Sequence, residues 1–337
     1  MRPVEALDRV VYLLDRALAE PQKVRAFARA REVAEEVGVD ELTARHRAGT
    51  LTELPGIGPS TAKVIAGALD GEVPEYVAKL EDETVIPLAE GAELRAALKG
   101  DCHSHSLWSD GGASIEKMAL TAQALGHEYL VMTDHSPRLT IAHGLTKERL
   151  REQLQEIRAL NEKLAPFRIL TGIEVDIMPD GSLDQDEMML AELDVVVASV
   201  HSKLRMPRED MTRRMVLALA HPQVDILGHV TGRKVVGTGR PQSQFDPEIV
   251  FAACARFDVA LEINCRPERQ DPPDDLLAMA IDWGLNFSID TDAHAPGQLE
   301  WQAYGCDKAA KHDIPASRIV NTQPAMDLIA WAASNPV

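Results

Sequence analysis

Long apolar runs, cysteine and basic charge are all scarce in this 337-residue chain. No stretch approaches the ~18 consecutive apolar residues of a membrane-spanning helix, so no membrane association is expected. The opening segment MRPVEALDRVVYLLDRAL sets acids inside an apolar pattern and has no small-residue cleavage site. An amphipathic helix is expected there, not a signal peptide. The four cysteines (Cys102, Cys254, Cys265, Cys306) form no C-x-x-C pair and no framework spacing. That excludes a disulfide scaffold and predicts reduced, mostly buried thiols in a cytoplasmic setting. Only 35 basic residues stand against 53 acidic ones, a formal net charge of −18. This balance argues against a protein that coats nucleic acid through bulk electrostatics. A nucleic-acid enzyme stays open, because carboxylates that hold metal ions are neutralised once the ions bind. Internal repeats and low-complexity tracts are also missing.

A hydrophobic content of 45% supplies a real core and rules out a disordered chain. The length suits two domains, or one large α/β barrel with a small appendage. Residues 1–80 read as all-helical, with apolar positions at helical spacing through Val4–Leu18 and Val24–Val37. Within them, ELPGIGPSTAKVIAGAL (Glu53 to Leu69) places a Gly/Pro turn between helical patterns. Residues 81–98 are expected as a linker of mixed charge. From 99 to 337 the texture changes to short apolar runs alternating with longer helical patterns. The runs are KGDCH, YLVMT, RILTGIEV, LDVVVASV, VDILG, VALEIN and NFSIDTD. Seven alternating β and α segments predict a parallel sheet closed into a barrel, with its chemistry at the C-terminal strand ends.

Those strand ends are occupied by metal-ligand chemistry. The first runs into His103 and His105, with Asp110 in the turn that follows. The others end in Asp134-His135, Glu174, His201, His229, Asn264 and Asp292-Ala293-His294. Residues i and i+2 of a strand share a face, so His103 with His105, and Asp292 with His294, can each aim two ligands into one mouth. A single histidine after an apolar run is ordinarily structural. Here six of the eleven histidines stand at strand ends, joined by three carboxylates. Nine ligands exceed the needs of one ion. Two or three divalent ions (Zn, Mn or Fe) are expected, with Glu174 bridging. Such clusters serve phosphoryl transfer to water.

The motifs DCHSHS-x3-D, MTDHS, GIEVDI, ASVHS, DILGHVTGR, LEIN and DTDAH, in this order, resemble those of the PHP (polymerase and histidinol phosphatase) superfamily. They are most like the PHP domain at the C-terminus of bacterial family X DNA polymerases, which share GH-x-TGR and EIN-x-x-P-x-R. The resemblance implies a distorted (β/α)7 barrel over residues 99–337 that binds three metals. It implies a first metal on His103, His105, Glu174 and Asp292, a second on Glu174 and His201, and a third on Asp110, His135, His229 and His294. Every family ligand position is filled, as in a working site. Lys203, Arg233 and Arg269 follow ligand-bearing strand ends and are candidates for phosphate contacts; a solvated charge or a structural ion pair is the alternative for each. His143, in a loop after the second strand, is a candidate for substrate contact or leaving-group protonation, against the plainer reading of an exposed loop residue.

LPGIGPSTA resembles a helix-hairpin-helix motif, in which backbone amides of the turn and of the next helix grip a DNA phosphate whatever the base sequence. Gly56, Ile57, Gly58, Ser60, Thr61 and Lys63 are its candidate contacts, and the alternative is an ordinary turn between packed helices. Residues 1–80 look like the small N-terminal domain of family X polymerases, but only the short linker stands where those enzymes carry a nucleotidyl-transfer palm. Polymerase activity is therefore not expected. A second departure is Val230, where the polymerase pattern has proline. Pro21 to Leu69 holds seven basic and six acidic residues, so DNA binding by this part alone should be weak and salt-sensitive.

The expected function is a metal-dependent phosphoesterase acting on DNA ends, as a 3′→5′ exonuclease or 3′-end processing enzyme in repair. A metal-activated hydroxide would attack phosphorus. The alternative is a small-molecule phosphomonoesterase such as a histidinol-phosphate phosphatase, since fold alone does not decide function. A third reading is a DNA-binding scaffold with purely structural metals. No protein partner is evident.

Overall fold

The computed structural model describes residues 1–334 and divides into two units, one built essentially from residues 1–86 and the other from residue 87 onward. The last three residues of the expected barrel region, 335–337, lie outside the described residues. No helix among the described residues is long and apolar enough to cross a membrane.

The first unit is helical: α1 (Pro3–Arg16), α2 (Pro21–Ala48), α3 (Pro59–Leu69) and α4 (Glu75–Glu83). Proline starts α1, α2 and α3, where its fixed φ suits the first turn and its missing N–H costs nothing. Gly38 breaks α2 with φ +78°, so the second helical pattern runs past its expected end at Val37 with a kink there. Leu7, Val10, Leu13 and Leu14 of α1 share one buried cluster with Phe27, Ala30 and Val33 of α2 and Val64 and Ile65 of α3. Each of these Leu, Val, Ile and Phe side chains is worth about 1.5–3 kcal/mol when buried. Arg9 donates to both carboxylate oxygens of Glu81 at 2.6 and 2.8 Å, tying α1 to α4. The segment expected as a linker holds the end of α4 and a short helix, α5 (Ala92–Ala97).

The second unit contains all seven expected strands: β1 (Gly100–Asp101), β2 (Tyr129–Met132), β3 (Arg168–Asp176), β4 (Val195–Ser199), β5 (Ile226–Leu227), β6 (Ala260–Asn264) and β7 (Phe287–Asp290). All neighbours are parallel and the order is sequential. A bridge between Ser104 and Ala293 brings the ends of the sheet together, giving a nearly closed barrel. Helices α6 (Ile115–Ala124), α7 (Lys147–Leu164), α8 (Glu187–Leu190), α9 (Arg208–Leu219), α10 (Pro247–Phe257) and α11 (Asp274–Asp282) fill the crossovers, and α12 (Gln302–Lys311) and α13 (Ala325–Ala332) follow β7. Ser114, Thr146 and Asp246 cap α6, α7 and α10 by accepting first-turn amides. Strand side chains are buried on both faces, hence the unbroken apolar runs. Tyr129 and Val131 share one cluster with Leu170, Val195 and Val197, while Leu130 and Met132 join the α6 and α7 side with Met118 and Ile157. The four cysteines are free and buried.

Candidate metal centre

The mouth of the barrel is assembled where β1 meets β7. Asp101 accepts the amide of His103 at 3.0 Å and the hydroxyl of Thr291 at 2.6 Å. Asp290 accepts the amide of Cys102, and the carbonyl of Ala293 accepts the amide of His105, both at 2.8 Å. These bonds set His103 and His105 beside Asp292 and His294. Gly111 is required at the next turn, because a Cβ there would lie 2.7 Å from the amide nitrogen of Ser106.

Glu174, at the inner end of β3, is the hub. Its Oε1 lies 3.4 Å from His103 Nε2, 3.2 Å from His201 Nε2 and 2.9 Å from His229 Nε2. Its Oε2 lies 2.7 Å from His135 Nδ1 and 3.8 Å from His105 Nε2. Asp292 Oδ1 is 3.3 Å from His105 Nε2, and Asp292 itself adopts φ +51°, a strained conformation of the sort stored at functional sites. Asp110 lies 3.3 Å from His294 and 3.5 Å from His135.

Three groups present ligand atoms within 4.8 Å of one another: His105, Asp110, His135 and His294; His103, His105 and Glu174; and His135, Glu174 and His201. The donor set fits divalent ions. His103 Nε2 and both ring nitrogens of His105 and of His201 are buried without a hydrogen-bond partner. Buried polar atoms left unpaired cost about 1–3 kcal/mol each, and ions bound here would satisfy several at once. His103 turns Nδ1 to Glu262 Oε1 at 2.5 Å, and His294 Nδ1 lies 2.8 Å from Arg266 Nη1 and 2.9 Å from the Asp292 carbonyl. A ligating histidine is held by such a partner while its other nitrogen faces the metal.

His229 is placed differently from what the resemblance implied. It lies against Glu174, with its ring 5.2 Å from that of His201 and 5.9 Å from that of His103, and the close group of Asp110, His135 and His294 takes in His105 instead. Strand order is the reason: β5 neighbours β4, so His229 and His201 arrive side by side, whereas Asp110 and His294 come from the β1 and β7 ends.

The electrostatics follow from burial and proximity. Burial alone would raise the Glu174 carboxyl, but His201, His103 and His135 hold it well below the usual range. Burial likewise opposes ionisation of Asp292, and Arg266 and His103 overcome it. Burial, with His294 and His135 alongside, keeps His105 neutral, and burial with Arg269 lowers His229 to about 4. Neutral imidazole is the ligating form. Against burial, Glu174 pushes His201 up to about 9 and Glu262 pushes His103 up, so ions binding to these two rings would displace protons.

The three expected phosphate contacts diverge. Arg269 reaches into the centre: its Nε lies 3.3 Å from Asp292 Oδ2, and Nε and Nη1 are buried without hydrogen-bond partners. Arg233 instead donates to the carbonyls of Arg269 and Gln270 and braces the loop that carries Arg269. Lys203 is exposed on the loop after β4. His143 is exposed as well, and its carbonyl accepts from Arg149.

Several supporting residues escaped sequence reasoning. Glu262 holds His103 and also accepts the amide of His229. Asp176 accepts the amide of His201 at 3.1 Å. Arg266 donates to the Asp292 carbonyl at 2.7 Å. The period-two rule could have found the acids, since Glu262 lies two residues before Asn264 and Asp176 two after Glu174. Arg266 carried no comparable signal.

In the first unit, the segment expected as a hairpin forms the connection between α2 and α3. Gly56 has φ +97°, and a Cβ there would meet Val33 Cγ2 at 3.1 Å. Two amides expected to face phosphate are already used. The Ile57 N–H bonds to the Leu54 carbonyl at 3.0 Å, and the Gly58 N–H to Thr61 Oγ1 at 2.9 Å. Ile57 is also buried in the core of the unit. Ser60 and Thr61 stand in the first turn of α3, whose amides have no intrahelical acceptor; Ser60 and Lys63 are exposed. The turn borders a groove of about 1210 Å³ whose lining includes Lys23, Arg29, Lys63, Lys79, Phe27 and Tyr76.

A parallel barrel with a histidine–carboxylate centre at its mouth defines a metal-dependent hydrolase. The chain belongs to the PHP family: the PHP domain model matches residues 101–264. It is 39% identical over 255 residues to the DNA polymerase/3′-5′ exonuclease PolX of Bacillus subtilis, a match spanning 76% of this chain and 44% of that protein. The chain thus spans less than half of that relative's length. It is 30% identical over 205 residues to a Thermoanaerobacter sp. (strain X514) protein named "Probable phosphatase", covering 58% of this chain and 78% of that protein. Among solved structures it is similar to a histidinol phosphate phosphatase of Lactococcus lactis, determined with zinc, L-histidinol and phosphate. That likeness has a TM-score of 0.45 and 21% identity, and covers 64% of this chain and 93% of that one.

Proposed function

We propose that this protein is a phosphoesterase that trims the 3′ ends of DNA strands in repair, in the cytoplasm, using two or three divalent ions. The observation that carries this reading is Arg269: its Nε pairs with Asp292 Oδ2 at 3.3 Å and its Nη1 is buried without a hydrogen-bond partner, beside a cluster of six histidines and three carboxylates. A phosphate oxygen pair is the natural partner of such a fork. Divalent ions held by the nine side chains would lower the pKa of water and offset charge on phosphorus oxygens. The chain's own part is positional. Glu174 presents one oxygen to His103, His201 and His229 and the other to His135 and His105. Glu262 orients the ring of His103, and Arg266 with the Asp292 carbonyl holds that of His294. Arg269 binds and orients the phosphate, and Arg233 keeps the Arg269 loop in place.

DNA as substrate is supported by the relative named a 3′-5′ exonuclease and by the hairpin turn, with Ser60, Thr61 and Lys63 as backbone contacts. The palm of a polymerase has no counterpart in the sequence, so chain extension is not part of the proposal. The test is a labelled oligonucleotide incubated with the protein and Mn²⁺. Stepwise shortening from the 3′ end is expected, and His103→Ala should abolish it; an intact oligonucleotide overturns the reading.

A second reading, hydrolysis of a small phosphomonoester, is favoured by the phosphatase-named relative of which this chain covers 78%. High kcat/KM on one phosphorylated metabolite, with DNA untouched, would establish it instead.

A further inference from the structure

The loop after β5 contains a feature that the metal centre does not use. From His229 to Phe245 the chain has three basic residues and no acidic one, in a protein of net charge −18. Lys234 and Arg240 pair as an antiparallel bridge, with reciprocal backbone bonds of 2.9 and 2.8 Å. Between them, Val235-Val236-Gly237-Thr238-Gly239 forms a hairpin tip. Gly237 and Gly239 take φ +72° and +67°, conformations that glycine adopts without strain. The tip projects two β-branched apolar side chains into solvent, with Val235 48% and Val236 55% exposed.

This hairpin is anchored to the rim of the centre. Asp271 accepts the amides of Thr231 and Gly232 and the Thr231 hydroxyl, at 3.0, 3.1 and 2.8 Å. The Val235 amide donates to the Glu268 carbonyl at 2.7 Å, and Arg240 Nε donates to the Gly232 carbonyl at 2.6 Å. Arg233 reaches the carbonyl of Arg269, whose own guanidinium faces Asp292. The hairpin therefore stands two links from the metal ligands. Its exposed cation, Lys234, shares this rim with Arg240, Arg266 and Arg269. Glu268 and Asp271 are the acids that face them, the first paired with Arg266 at 2.9 Å and the second occupied by backbone amides.

We infer that this hairpin is a substrate-end clamp, in which Lys234 and Arg240 hold strand phosphates and Val235 and Val236 pack against the terminal bases. Cations with an apolar tip match the two surfaces of a nucleic-acid strand: phosphates neutralised by Lys and Arg, base faces covered by apolar side chains. A small phosphoester has a single phosphate, which the metal centre takes, and leaves none for Lys234 and Arg240 to hold. The inference rests on the DNA reading above and names the element that selects a strand over a small ester.

The experiment compares the full-length protein with Val235→Ser/Val236→Ser and with Lys234→Ala, on a single-stranded DNA oligonucleotide and on bis-(p-nitrophenyl) phosphate. All three side chains are exposed, so folding is not at stake. The valine variant is expected to raise KM for the oligonucleotide about tenfold while kcat/KM for the small diester holds. Lys234→Ala should reduce the slope of log KM against log salt by about 0.7, the loss of one phosphate contact on a single strand. Equal KM values for both variants and the parent on DNA would overturn the clamp. A parent protein that hydrolyses the small diester and leaves DNA intact would overturn the DNA reading itself, and the clamp with it.

Discussion

His103 and Glu262 meet at 2.5 Å, Nδ1 to Oε1, with neither side chain exposed. Through this contact an acid in the middle of β6 governs which nitrogen of a β1-end histidine faces the centre. Glu262 also accepts the His229 amide and the Asn264 side-chain amide, so it supports two candidate ligands at once. Glu262→Gln keeps the shape and removes the charge. Affinity for Mn²⁺ or Zn²⁺ should drop about 10- to 100-fold, as read by competition with a chromogenic chelator. Unaltered affinity would show that Glu262 has no orienting role.

Stripping metal from the holoprotein should lower its thermal stability as well as its activity. The cluster packs mutually repelling carboxylates among unpaired imidazole nitrogens, and bound ions are what compensates them. An ion present at 100 times its Kd adds about 2.7 kcal/mol. Calorimetry before and after EDTA, and again after readdition of Mn²⁺, should show a fall in Tm that reverses.

Arg269→Lys should cost about 10²-fold in kcat on a phosphoester, because an ammonium cannot reproduce the bidentate fork. Arg233→Ala should act mainly through loop position, with a smaller loss of kcat and reduced stability. Steady-state kinetics with unfolding curves for both variants separate the two roles.

His127 is expected to make the fold acid-sensitive. It is 4% exposed, and burial, aided by the charge of Arg95, lowers it to about 3. The unfolded chain protonates this ring near pH 6.5. Between those values the unfolded state binds the extra proton, so the stability contribution is complete above pH 6.5 and declines as pH falls toward 3. The loss attributable to this ring is at most about 5 kcal/mol. Urea unfolding at pH 7 and pH 4.5 should show a smaller acid loss for His127→Leu than for the parent.

Lys63→Ala should weaken DNA binding and flatten its salt dependence, by close to one unit in the log–log slope for a duplex. Fluorescence anisotropy across a salt series measures both. An unchanged slope would mean that this lysine meets no phosphate.

Much of the barrel was legible in the sequence, for a physical reason. Parallel strands buried on both faces must be apolar along their length, so VVVAS and YLVM announce themselves, and polar residues at their ends stand out by contrast. Glu262 was hidden by the same logic: a lone acid inside ALEIN looks like an interruption until its partner His103, 159 residues away, is seen. Arg233 and Arg269 were indistinguishable as cations after strand ends. One spends its guanidinium on backbone carbonyls and the other faces Asp292, a difference set by loop conformation. The hairpin turn was readable from its glycines and prolines, yet which of its amides remain free depended on bonds such as Ile57 to Leu54.

Local chemistry, then, dictated the helices and strands, the seven-strand alternation and the residue types at the barrel mouth, because periodicity and turn preferences act over a few residues. Pairing across the barrel was decided by three-dimensional packing alone. His229 sits beside His201 and not with Asp110, His103 answers to Glu262, and Arg269 points inward. Each of these depends on which strand lies next to which, and on how a loop turns once the barrel closes.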